Sequence, residues 1–213
     1  MLITIDDGLA SHFEAAKWLA KVGVQAIFFV VPSFVDRSTE QYLRFHERAG
    51  VRACPLGPSG TQGLSSRQLR EMLEMGHRIG AHNFAHRDLG TIHDTAALDY
   101  EIARAIDWVA EFTGAPCADF AIGFGQPENV SDEAAAYLLA RVPRVYSCFR
   151  GLNVPGKTPR FLLRDDCKPW HSFAFTRLCV EGGADHHLAN RANVMMRRVG
   201  PLGGATSITR RTG

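Results

Sequence analysis

The chain has 213 residues, enough for one domain of ordinary or slightly large size with a buried core. Hydrophobic residues make up 46% of it and charged residues 22%, which suits a soluble globular protein and argues against disorder. The net charge of +2 points to neither nucleic acid nor an acidic membrane surface, and the longest apolar runs fall well short of a membrane span.

The sequence opens MLITIDDG. No basic stretch, apolar segment and small-residue cleavage site precede the first element, so no signal peptide is read and a cytoplasmic location is expected for the sequence as it stands. Leu2 to Ile5 is a short apolar strand that runs into Asp6, Asp7 and Gly8. A helix is expected from about Ser11 to Val22, because Phe13, Ala16, Leu19 and Ala20 recur at helical spacing and Gly23 stands at the stop. Val24 to Val31 is a near-continuous apolar run, the pattern of a strand buried on both faces of a parallel sheet. Residues 32–64 read as an insertion over one end of the sheet. Ser65 to Met75 is a helix, and after Gly76 comes a strand from His77 to Ala81.

The rhythm then repeats. Asp94 to Phe112 is a long amphipathic helix, Ala118 to Ile122 a strand, and Ser131 caps a helix that runs to about Arg141. Arg144 to Cys148 and Phe161 to Arg164 are further short strands. Strands that alternate with helices predict an α/β fold with a parallel sheet or barrel. The pattern weakens beyond Asn190, so one domain over 1–190 and a flexible tail over 191–213 are expected. The five cysteines, Cys54, Cys117, Cys148, Cys167 and Cys179, are odd in number and lack C-x-x-C spacing. Free thiols are expected rather than a disulfide framework or a cysteine zinc site.

Two places carry chemistry. Asp6 and Asp7 end the first strand, and the carboxyl ends of parallel strands are where ligand sites form in α/β folds. Adjacent residues leaving a strand point in different directions, so the two carboxylates can take different roles. The alternative is a solvated Asp-Gly turn. His82 and His86 lie four apart at the end of the third predicted strand, and two imidazoles at that spacing can reach one ion if the segment bends. The alternative is a pair of unrelated polar residues on a loop. Two histidines and one carboxylate leave open positions on an ion for water and substrate, as metal-assisted hydrolysis requires.

The segments Thr4-Ile5-Asp6-Asp7-Gly8 and His82-Asn83-Phe84-Ala85-His86 resemble the first two motifs of the polysaccharide deacetylases, the NodB-homology domain of carbohydrate esterase family 4. Phe120 to Gly125, FAIGFG, is similar to a degenerate third motif. The resemblance covers about residues 1–150, with motif order and spacing kept. It implies a distorted (β/α) barrel of about seven strands. It further implies that Asp6 is the general base, that Asp7, His82 and His86 hold a divalent metal, commonly zinc, and that the backbone N–H of Phe124 helps to hold the oxyanion.

The chain also departs from the family. Ala121 replaces the arginine that orients the base in many relatives, and Gly123 replaces a proline. Arg164 is a candidate for the missing cation, with a surface charge as the alternative. The late Leu-x-His motif has no clean match, although His171, His186 and His187 are present. Asn83 stands where Ser or Thr is preferred and can still make the supporting hydrogen bond. Trp170 is a candidate for lining a sugar site, with a core tryptophan as the alternative. The function expected is metal-dependent removal of acetyl groups from N- or O-acetylated sugars of a polysaccharide or glycoconjugate. The alternatives are a related hydrolase of a small amide or cyclic imide, or a degenerate carbohydrate-binding domain of the same fold.

Overall fold

The computed structural model describes residues 2–37, 63–156, 159–167, 171–183 and 189–201. Six strands form one parallel sheet in sequential order: β1 (Ile3–Ile5), β2 (Ala26–Val30), β3 (Arg78–Ala81), β4 (Asp119–Ala121), β5 (Arg144–Tyr146) and β6 (Phe161–Leu162). Six described strands stand where the resemblance implies about seven. Each strand is shorter than the run expected for it, β1 and β3 by one residue at the amino end and β2 at both ends.

β2 shows why the sheet curls. All five of its residues are buried, and they divide by parity. Phe28 and Val30 pack outward among the helices, while Ile27 and Phe29 point inward with Ala121, Tyr146 and Leu162. Phe28 and Phe29 are fully buried, a contribution of about 1.5–3 kcal/mol each. Gly80 on β3 makes room for this interior: a Cβ there would stand 2.6 Å from the Phe29 ring.

The amino end of the barrel is closed by charge. Asp119, Arg78 and Arg144 are the first residues of their strands. The Asp119 carboxylate accepts from Arg144 at 2.6 and 3.0 Å, from Arg78 at 2.8 Å and from the Tyr146 hydroxyl at 2.8 Å. At the carboxyl end the outer strands are tied by a side chain. Arg164, just past β6, donates to Thr4 Oγ1 of β1 at 3.1 Å.

The helices follow the expected alternation. They are α1 (His12–Lys21), α2 (Ser66–Glu74), α3 (Thr95–Leu98), α4 (Arg104–Thr113), α5 (Asp132–Leu139), α6 (Phe173–Val180) and α7 (Ala189–Val199). Ser65 and Gln68 form a reciprocal capping box on α2, and Ser131 caps α5 through Ala134 N–H. The single helix expected from Asp94 to Phe112 is interrupted by a π-helical turn, Asp99–Ala103, that links α3 to α4. Residues 191–199, expected in a tail, belong to α7. Few apolar positions announce that helix, since Met195 and Val199 are the residues it buries. Arginine holds it instead: Arg198 donates to Asp132 at 2.7 Å and to the carbonyls of Pro127 and Val130 at 2.9 and 2.7 Å. Most of the 32–64 insertion and residues 202–213 lie outside the described residues. Cys117, Cys148, Cys167 and Cys179 are free thiols. Among the described residues no helix is long and apolar enough to cross a membrane.

Candidate active site

The ends of β1 and β3 deliver the site. The His82 N–H donates to Val30 O at 3.0 Å and carries the ladder one residue past β3. The His82 ring then pairs Nδ1 with the Ala121 carbonyl at 2.8 Å. A carbonyl only accepts, so this bond puts the proton on Nδ1 and leaves Nε2 as the ligating nitrogen. The chain next turns through Asn83 and His86, both left-handed at φ 50° and 56°, which brings the second imidazole back beside the first. The ring centroids of His82 and His86 are 4.9 Å apart.

Asp7, itself at φ 80°, meets both histidines. Its Oδ1 lies 3.2 Å from His82 Nε2 and 3.3 Å from His86 Nε2. Ligand atoms of the three residues all fall within 4.8 Å of one another. A tetrahedral ion with bonds of about 2.1 Å needs ligand separations of about 3.4 Å, so this donor set and the two Asp7–histidine distances fit a divalent metal ion. Among the described residues this is the group of three or more metal-type ligands that converges.

Electrostatics bind the set further. Burial raises the Asp7 carboxyl, but hydrogen bonds and charge from His82 and His86 hold it well below the usual carboxylate range. Burial lowers the His82 imidazole, yet the hydrogen bond to Asp7 and the charges of Asp6 and Asp7 leave it above its usual value.

The Asp6 carboxylate pairs with Arg164. The guanidinium forks the carboxylate, with Nη1 to Oδ1 at 2.7 Å and Nη2 to Oδ2 at 2.8 Å. Arg164 is itself held, since Nε donates to the Ser147 carbonyl at 2.6 Å and Nη2 reaches Cys148 Sγ at 3.4 Å. It also lies over the Phe29 ring, 5.6 Å from its centroid. Burial raises Asp6, but the Arg164 charge, with His82 and the hydrogen bonds, holds it below the usual range. Arg164 thus sets a guanidinium against Asp6 in a chain whose third motif carries Ala121.

The third motif closes the other side. Gly125 N–H donates to Gly123 O at 2.7 Å, a three-residue turn with Phe124 at its apex and at φ 63°. The Phe124 ring stands edge-on to His86 at 4.8 Å. Asn83 ties this turn to the histidine loop, with Nδ2 donating to Arg87 O at 2.6 Å and Oδ1 accepting from Gly123 N–H at 3.4 Å. Of the five described non-glycine residues with positive φ, four (Asp7, Asn83, His86 and Phe124) stand here, and such strain concentrates at functional sites.

A family model for polysaccharide deacetylases matches residues 1–142. The chain belongs to the polysaccharide deacetylase family. Its fold is similar to the Streptococcus pyogenes deacetylase PplD, solved in complex with acetate. That match has 17% identity and a TM-score of 0.63 over 84% of this chain and 69% of that one. It is also similar to IcaB from Ammonifex degensii, at 22% identity and a TM-score of 0.59 over 84% of this chain and 71% of that one. A polysaccharide deacetylase from Bacillus cereus matches at 19% identity and a TM-score of 0.54 over 70% of this chain. This chain spans 40% of the length of that relative. No curated protein matches the chain.

The fold therefore brings Asp6, Asp7, His82, His86, Asn83, Phe124 and Arg164 to one end of the barrel, while Trp170, His186 and His187 lie outside the described residues. Sequence reasoning missed three neighbours. His12 opens α1 with Nδ1 accepting from Leu9 N–H at 3.2 Å; burial lowers its imidazole against the opposing charges of Asp7 and Asp6. Cys148 touches Arg164. Glu101 is fully buried behind the histidine loop. The position of His12 in the first turn after the Asp pair was the available signal; Cys148 and Glu101 gave none beyond lying in a strand end and a helix.

Proposed function

We propose that this deacetylase-family protein is a metal-dependent hydrolase that removes acetyl groups from N-acetylated (or O-acetylated) sugar units of a polysaccharide or glycoconjugate. The observation that carries the reading is the juxtaposition of the Asp7, His82 and His86 tripod with a separate carboxylate, Asp6, fixed by Arg164. In this reading Asp7 and the two Nε2 atoms hold a zinc-like ion, which supplies a Lewis acid for the acetyl carbonyl and acidifies the attacking water.

The chain's own residues do the rest. Asp6 is kept ionised at neutral pH and takes the proton of the water that adds to the carbonyl carbon. The backbone N–H of Phe124 donates to the carbonyl oxygen as it gains charge. When the carbon–nitrogen bond breaks, the proton held on Asp6 passes to the departing sugar amine, leaving acetate and a free amino sugar.

Acetate release from a panel of acetylated chito-oligosaccharides, measured at matched zinc content for wild type and Asp6→Asn, tests this. Asn keeps the shape but cannot take the proton, so a loss of about 10²–10⁴-fold with metal retained is expected. Equal, robust rates in both would remove Asp6 from the mechanism. Release from a small amide or cyclic imide alone would reassign the substrate, and no turnover with sugar binding kept would make the protein a binding domain.

A further inference from the structure

Glu101 is fully buried against the loop that carries His86. A buried carboxylate is unfavourable unless it is hydrogen-bonded, so its partners show what it holds. Its Oε2 accepts from Ala85 N–H at 3.0 Å and from Arg87 N–H at 3.4 Å, the amides on either side of His86. Its backbone carbonyl accepts from Phe84 N–H at 2.8 Å. One residue thus receives the amides of positions 84, 85 and 87, and the peptide between them carries His86 in a left-handed conformation. Oε1 has no hydrogen-bond partner among the described residues, so the carboxylate holds the loop through Oε2 alone.

The helix is shaped around this contact. Glu101 lies in the π-helical turn, and both it and its neighbour Ile102 are fully buried. Adjacent residues on an α-helix point about 100° apart. The widened turn lets Ile102 continue the core row of Leu98, Ala105 and Val109 while Glu101 reaches the histidine loop. π-turns of this kind are often retained where function needs one side chain redirected.

We propose that Glu101 is the positioning residue for His86: it fixes the loop so that Nε2 faces Asp7, and it thereby sets the affinity of the site for its metal. This rests on the metal-centre reading above. Glu101 touches neither substrate nor ion; it acts through the backbone of the loop.

The test uses the full chain. Backbone amide exchange is measured on metal-free protein, zinc affinity by chelator competition, and ligand geometry from the absorption spectrum with cobalt(II) in place of zinc. The variants are Glu101→Leu, Glu101→Gln and, as a control in the same helix, Ile102→Ala. Glu101→Leu is expected to speed exchange at Ala85 and Arg87, to weaken zinc about 10–100-fold and to alter the cobalt spectrum. Glu101→Gln places a carbonyl oxygen where Oε2 stood and is expected to recover most of the affinity. Ile102→Ala lowers thermal stability and leaves affinity unchanged. If Glu101→Leu fails to fold, Glu101→Asp, which withdraws the carboxylate by one methylene, stands in its place against Glu101→Gln. Wild-type affinity with unchanged exchange in the Leu or Asp variant overturns the proposal, as does an equal loss of affinity in Ile102→Ala. Wild type that takes up no zinc overturns the metal reading and this proposal with it, whereas exchange in the metal-free protein still reports whether Glu101 holds the loop.

Discussion

Arg164 and Asp6 are 158 positions apart in sequence and share a two-bond fork of 2.7 and 2.8 Å at the mouth of the barrel. The relatives' third motif would place an arginine on β4; this chain supplies one from the end of β6 and leaves Ala121 to fill the interior. The fork gives Asp6 a fixed direction and a neighbouring positive charge, which is what the proposed base would need.

This makes the acid limb of the pH–rate profile a report on Arg164. The guanidinium holds Asp6 below the usual carboxylate range against the effect of burial. Without it, burial is opposed by the His82 charge alone and Asp6 stays protonated to higher pH. Arg164→Ala is expected to shift the acid limb of kcat/KM upward and to remove much of the ~10²–10⁴-fold that a positioned base contributes. Arg164→Lys keeps a charge without the fork and should fall between the two. An acid limb that stays in place in Arg164→Ala would mean that another group titrates there.

The strand ends explain how much was readable in advance. Asp6, Asp7, His82 and His86 sit directly after apolar runs, so local pattern and motif spacing locate them without knowledge of the tertiary fold. Arg164 also follows a strand, but its partner is fixed only when the sheet curls and brings β6 beside β1. Glu101 is harder still. A glutamate in an amphipathic helix reads as solvent-facing, and only the π-turn, which has no sequence period of its own, carries it inside. α7 was missed because arginine-to-carbonyl bonds hold it in place of an apolar stripe.

Zinc is expected to stabilise the folded chain through the tripod. A ligand that binds only the native state at about 100 times its Kd adds ~2.7 kcal/mol, or a rise in Tm of about 5–10 °C for a domain of this size. His82→Ala and His86→Ala each remove one ligand atom and should abolish that rise. Thermal melts with and without zinc measure it. The same zinc-dependent rise in wild type and His82→Ala would place the ion elsewhere.

Asp119 governs a second pH effect, at the opposite end of the barrel. Burial raises its carboxyl, but the bonds and charges of Arg144, Tyr146 and Arg78 bring it below the unfolded value of 3.8. A group depressed in the folded state stabilises the protein above its unfolded pKa, and that contribution is lost as pH falls through the folded pKa. Asp119→Asn should cost about 1–3 kcal/mol at neutral pH, because Arg144 and the Tyr146 hydroxyl lose a charged acceptor. The difference from wild type should shrink as pH drops below 4. Denaturant unfolding at several pH values checks this; a constant difference down to pH 3 would show that the carboxylate charge is not the source.

Asn83 separates backbone strain from loop coupling, and three variants can resolve the two. Its φ of 50° suits Asn and Gly but costs Ala about 1–2 kcal/mol. Its side chain also serves two partners, the Arg87 carbonyl and the buried Gly123 N–H, whose loss costs a further ~1–3 kcal/mol. Asn83→Gly removes the strain but leaves both partners unmet, so stability should run wild type, then Gly, then Ala. Activity should follow a different order. In the proposed mechanism the Phe124 N–H would meet the oxyanion only if the Gly123–Gly125 turn keeps its anchor, and both variants lose that anchor equally. Their kcat values should fall together despite the gap in stability, by as much as the ~10²–10³-fold typical of a lost oxyanion donor. Asn83→Asp keeps the acceptor for Gly123 N–H and sets a charge against Arg87 O, so it should lose stability while retaining more kcat than Gly. Denaturant unfolding and steady-state kinetics on the same preparations decide the matter. If Asn83→Gly turns over like wild type, the side chain serves the backbone alone and the link between the two loops plays no part in catalysis.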